Sequence, residues 1–127
     1  LEIAKEVCER LNLPYSRAIP VSGLTLAMMK RLELARALAT QPVLLLLDEM
    51  MAGLNQKETV EIIDVVRNIQ TSGVTVLLIE HVMQAVMSLS DRIVVLSFGQ
   101  KIAEGKPAAI VRDPRVVDAY LGGQSNA

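Results

Sequence analysis

The sequence predicts an α/β fold built on a short parallel sheet. Three apolar runs carry that expectation: Val43–Leu47, Val74–Ile79 and Ile93–Leu96, each four to six residues without polar alternation. Such runs are the pattern of strands buried on both faces, as in parallel sheets. Helical spacing separates them, giving the order strand–helix–strand–helix–strand. A chain of 127 residues with 51% hydrophobic and 2% aromatic side chains is long enough for one domain with an aliphatic core.

The elements follow in order. Leu1, Ala4, Val7, Cys8 and Leu11 share one helical face, and Leu13-Pro14 ends that helix. Tyr15 to Gly23 reads as loop. A second helix is expected over about Leu26–Ala39, rich in strong helix formers, until Pro42 stops it. The first strand runs into Asp48-Glu49. Gln56–Gln70 carries Val60, Ile63, Val66 and Ile69 at helical spacing, with Asn55 and Glu58 placed as a capping box. Thr71-Ser72-Gly73 closes it. The second strand ends in Glu80-His81, and a shorter helix covers about Met83–Ser88. The tail holds a turn at Ser97-Phe98-Gly99-Gln100, a short strand near Lys101–Ala103, and small helices around Pro107–Val111 and Pro114–Tyr120.

Composition narrows the function. A formal net charge of −1 gives no electrostatic support for binding nucleic acid. Cys8 is the single cysteine, so neither an intrachain disulfide nor a cysteine metal cluster is possible. No apolar run approaches the roughly 18–20 residues that span a bilayer, and no secretory signal is visible. The chain begins at Leu1, already in helical phase, and is expected to be an internal piece of something longer or a trimmed product.

In open parallel sheets, ligands bind beyond the carboxyl ends of the strands. Two strand ends here carry chemistry. Of the adjacent carboxylates Asp48 and Glu49, the first suits Mg²⁺, a hard cation that prefers oxygen. The second suits orienting or deprotonating an attacking water. His81, the only histidine, stands at the neighbouring strand end, where it could contact a terminal phosphate. Each has a plainer reading: Asp-Glu as turn or helix capping, His81 as a structural residue. Together, at matching strand ends, they favour phosphoryl chemistry.

The stretch LELARALATQPVLLLLDEMMAGLN resembles the second half of the ATPase domain of ABC transporters. The resemblance covers the chain from about Leu24 to Gly122. It implies a partial P-loop NTPase-like parallel sheet flanked by helices, with part of the ABC helical subdomain at the N-terminus and the Walker A half absent. It divides the chain into a helical and signature region (1–41), a core of Walker B, D-loop and switch histidine (42–105), and a helical tail (106–127). Asp48 would help hold Mg²⁺, Glu49 would be the catalytic base, and His81 would be the switch histidine. Ala52-Gly53-Leu54-Asn55 matches the D-loop that touches a partner subunit, although Asn55 serves equally as an N-cap. The tail resembles the branched-chain amino acid importer group through its Gly-x-Pro, Asp-Pro and Ala-Tyr-Leu-Gly elements.

The signature motif departs from the family pattern, Leu-Ser-Gly-Gly-Gln. In the family its serine stands 23 positions before the Walker B aspartate. Thr25 has that spacing from Asp48; Ser22 is 26 away. The aligned motif is therefore Leu24-Thr25-Leu26-Ala27-Met28, with Thr25, Leu26 and Ala27 as the residues facing ATP. A hydroxyl at a helix N-terminus favours an anion, and simple N-capping explains Thr25 too. Leu26 and Ala27 replace glycines, which weakens the case for close phosphate contact. Met50 stands where many members have proline, and the methionines read as gap fillers.

No GxxxxGK[ST] occurs in the chain. The expectation is an ATP-binding subunit's C-terminal portion that couples ATP hydrolysis to uptake of branched-chain amino acids or a related small solute, and is inactive alone. Its partners would be permease subunits and a second ATP-binding subunit, its place the cytoplasmic face of the membrane. Without the phosphate-loop strand, the sheet would be left with a gap. Either the third strand closes it or another chain fills it, so self-association is expected. The alternative is a non-catalytic α/β interaction module. A DNA-repair ATPase is disfavoured by the charge and the tail.

Overall fold

The structure, a computed structural model, describes residues 2–14 and 19–121. Leu1, the start of the expected loop at Tyr15, and the tail from Gly122 lie outside the described residues. The chain forms two compact units, one ending at Ala85 and the other starting at Val86.

The first unit opens with α1 (Glu2–Arg10). Val7 and Leu11 are buried, while Ala4 is exposed, so the inward face is narrower than the spacing predicts. A 3₁₀ turn at Val21–Gly23 replaces the expected loop there. Helix α2 (Leu26–Leu38) follows, capped by Thr25, whose hydroxyl accepts from the Met28 N–H. Strand β1 (Leu44–Asp48) leads through a turn to α3 (Gln56–Thr71), and β2 (Thr75–Ile79) follows. The capping box at Asn55 and Glu58 forms in both directions, at 2.9 and 3.0 Å. Helix α3 buries Ile62, Ile63, Val65, Val66 and Ile69; Val60 is exposed. Arg31 of α2 reaches Glu61 of α3 at 2.6 Å.

Strands β1 and β2 pair in parallel, in register from Leu44 opposite Thr75 to Asp48 opposite Ile79. Their burial corrects the expectation of strands covered on both faces. In β1, Leu45 and Leu47 are buried, but Leu44 and Leu46 are 47% and 66% exposed; across the pair Leu77 and Ile79 are 53% and 59% exposed. Helix α3 supplies a large apolar face in this unit. No other described element of the unit buries the opposite side of the sheet.

Helix α4 (Met83–Leu89) spans the boundary between the units. In the second unit, β3 (Ile93–Ser97) pairs antiparallel with β4 (Gln100–Gly105). This is the main correction to the topology: among the described residues, the third apolar run does not join the parallel sheet. The reason is local. Phe98 and Gly99 both take positive φ, 48° and 75°, the geometry of a two-residue hairpin turn. The hairpin closes between neighbouring residues without a long loop to order. Inward Ile93, Val95 and Ala103 pack with Ile110 of α5 (Pro107–Ile110) and Val116 of α6 (Pro114–Val116). A π-helical turn, Val117–Leu121, ends the described chain, where the Tyr120 hydroxyl donates to the Leu96 carbonyl.

Candidate functional site

Backbone geometry at the end of β1 places the acidic pair. Asp48 is the last residue of the strand and is exposed. Glu49 then takes a left-handed conformation, φ 50°, which L side chains adopt at a cost of about 1–2 kcal/mol. Its N–H still donates to the Ile79 carbonyl at 2.9 Å, extending the ladder by one bond.

The result is a cross-strand pair. Glu49 Oε1 lies 3.8 Å from His81 Nδ1, with both side chains more than half exposed. That separation is beyond a direct hydrogen bond. The two groups therefore face each other at the carboxyl ends of neighbouring strands without satisfying one another. Asp48 adds a hard oxygen donor beside them. Among the described residues no three His, Cys, Asp or Glu side chains gather into a cage. A single strand-end carboxylate fits Mg²⁺, which takes one or two carboxylates and keeps several waters.

Glu80 is the residue that sequence reasoning passed over. It was visible as one more acid beside His81, but one of its three backbone partners, Met51, lies 29 positions away. One carboxylate oxygen accepts from the Met51 N–H at 2.8 Å; the other accepts from His81 and Val82 N–H at 3.2 and 3.3 Å.

The remaining predicted residues sit at helix starts. Thr25 and Asn55 are both occupied as N-caps, bonded to Met28 and Glu58. Ala27 is buried and Leu26 is 41% exposed. Leu26 meets the turn after β1: a Cβ on Gly53, which has φ 78°, would lie 2.9 Å from Leu26 Cδ2. Gly53 is thus needed both for its backbone conformation and for this approach. The structure brings Glu49 to His81 and Leu26 to Gly53.

Solved structures share this fold. The crystal structure of the ADP conformation of MJ1267, an ATP-binding cassette of an ABC transporter, matches with a TM-score of 0.82 and 34% identity, over 95% of this chain and 49% of that one. A nucleotide-free ATP-binding cassette from an ABC transporter gives 0.84 and 32%, over 94% and 49%. Over nearly its whole length the chain is similar to part of an ATP-binding-cassette ATPase. Within that family its similarity is to the branched-chain amino acid group, for residues 100–125 match the family model described as branched-chain amino acid ATP-binding cassette transporter. The high-affinity branched-chain amino acid transport ATP-binding proteins BraF of Pseudomonas aeruginosa and LivG of Escherichia coli are each 42% identical to it over 123 residues, 96% of this chain and 48% of theirs. The chain spans about half the length of the curated relatives it matches.

Proposed function

We propose that this chain supplies one half of the ATPase machinery of a transporter that takes up branched-chain amino acids or a related small solute. The observation that carries the proposal is the Glu49–His81 pair, held 3.8 Å apart at adjacent parallel strand ends with Glu49 in a left-handed conformation. Glu49 orients the attacking water and takes its proton. His81 contacts the terminal phosphate of ATP. Asp48 would hold Mg²⁺, which would neutralise charge on the phosphates. Thr25, Leu26 and Ala27, at the start of α2, face the nucleotide of a second ATP-binding subunit. Asn55, at the end of the turn after β1, meets that same subunit.

The 127 residues hold no GxxxxGK[ST], so other residues would cradle the phosphates. In this proposal 1–41 is the helical and signature part, 42–105 the catalytic core and 106–127 the tail. The assembly would sit on the cytoplasmic face of the membrane, against permease subunits. No helix among the described residues is long and apolar enough to cross a membrane.

The test is ATP turnover. The 127-residue chain alone is expected to show none; turnover that survives removal of contaminants overturns the half-site proposal. In an assembly supplied with a phosphate cradle, Glu49→Gln is expected to lower turnover by about 10²-fold or more. Unchanged turnover would remove Glu49 from the role of base.

A second reading, a non-catalytic interaction module, is favoured by one observation. The uncovered apolar face of Leu44, Leu46, Leu77 and Ile79 offers a surface for association.

A further inference from the structure

The parallel ladder of β1 and β2 ends at Asp48 and Ile79, and the Glu49 N–H adds one last bond. Beyond it the two segments diverge, one into the turn at 50–53 and the other into α4. Glu49 and His81 stand at that divergence. Each is exposed, and 3.8 Å separates them, so neither holds the other. A part-buried carboxylate spans the fork instead. Glu80 accepts from Met51 N–H on the β1 side and from His81 and Val82 N–H on the β2 side. An exposed amide pair, Gln56 with Gln84 at 2.7 Å, spans it further out.

We propose that Glu80 is a positioning residue: its bridging carboxylate sets the spacing between Glu49 and His81. The inference rests on the ATPase reading above for what that pair does. A carboxylate suits the task because it only accepts, through two oxygens, and all three partners are donors. Charge-assisted bonds to backbone N–H groups are about twice as strong as neutral ones. Glutamine has one acceptor oxygen, and its NH₂ would face a donor on one side of the fork whichever way it turned. Aspartate is one methylene shorter and would not reach both sides.

A plainer role, capping the start of α4, would use only the His81 and Val82 bonds. The Met51 bond is what distinguishes the two. Amide exchange in the 127-residue chain, read by NMR, is expected to show the Met51 N–H exchanging at least tenfold faster in Glu80→Ala. Glu80→Gln should expose either Met51 or the His81–Val82 pair, but not both. In an assembly supplied with a phosphate cradle, Glu80→Ala and Glu80→Asp are expected to lower kcat for ATP about tenfold with KM within about twofold, because a misplacement of about 1 Å costs up to 10²-fold. In a Glu49→Gln background the same changes should cost little more. Unaltered Met51 exchange, or a kcat loss fully additive with Glu49→Gln, overturns the proposal. Absence of turnover in the unaltered assembly overturns the ATPase reading instead, and Met51 exchange then decides the bridge by itself.

Discussion

Glu49, like Asn12, Gln41 and Phe98, takes a left-handed φ that non-glycine residues adopt at a cost. Glycine would adopt φ 50° freely, asparagine tolerates it, and β-branched residues resist it most. Thermal unfolding of the chain should therefore rank Glu49→Gly and Glu49→Asn at or above the parent, Glu49→Gln level with it, and Glu49→Val about 1 kcal/mol or more below. A Val variant as stable as the Gly variant would mean that the left-handed turn is absent. Gly53 gives the converse case. Gly53→Ala places a Cβ 2.9 Å from Leu26 Cδ2 at a φ of 78°, and should destabilise by about 1–2 kcal/mol. Leu26→Ala should recover part of that loss by removing the clash, leaving the backbone cost. Residue types at these positions were legible: Asp48, Glu49 and His81 stand out because apolar strands lead straight to them. Glu80 was not, since its meaning lies in a bond to a backbone 29 positions away.

At the scale of elements, local signals decided most boundaries. Pro42, Asn55 with Glu58, and Ser72-Gly73 fix β1 and α3 to within a residue of their expected limits, because caps and breakers act through neighbouring backbone groups. Asn55→Ala should lower stability by about 1 kcal/mol in thermal unfolding. The partner of β3 was not legible. Its apolar run looked like a buried parallel strand, yet only alternate residues are covered. Pairing depends on what lies nearest once the chain folds, and the Phe98-Gly99 turn puts β4 there.

The second unit also has an acid-sensitive side. Hydrogen bonding from Lys101, helped by the charges of Lys101 and Arg92, holds the Glu104 carboxyl below its usual range. Arg115 does the same for Asp113, the N-cap of α6. A lowered folded-state pKa means the contribution is present above the ordinary carboxylate range, about pH 4, and is lost as pH falls through the lowered value. Melting of β3–β4 followed by NMR should therefore fall off below about pH 4, and less steeply in Arg115→Ala. Both carboxylates still reach solvent, Glu104 at 33% and Asp113 at 20% of their side-chain surface, so added salt should weaken the effect.

For the whole molecule, the half-length match and the uncovered sheet face bear on association. Leu44, Leu46, Leu77 and Ile79 are apolar, adjacent across the β1–β2 ladder and open. Sedimentation should give a mass above 13.8 kDa that rises with concentration, and Leu46→Lys with Leu77→Lys should return it to a monomer. A strict monomer in the parent chain would count against self-association. The α/β class was legible at this scale from three apolar runs, whereas the open face was not, since a sequence records which residues are apolar and not whether a layer covers them.

The aliphatic interior has an optical consequence. The sequence has no tryptophan, and every buried hydrophobic side chain among the described residues is aliphatic or methionine. Phe98 projects fully into solvent at a hairpin tip, and Tyr120 is half exposed. Neither Phe98 nor Tyr120 lies in the buried core, so neither would register loss of the packing around α3. Tyr120, bonded to the Leu96 carbonyl, would report the second unit alone. A single tryptophan placed at Leu46 would give the β1–β2 sheet a voice and, on the same face, register whatever comes to cover it.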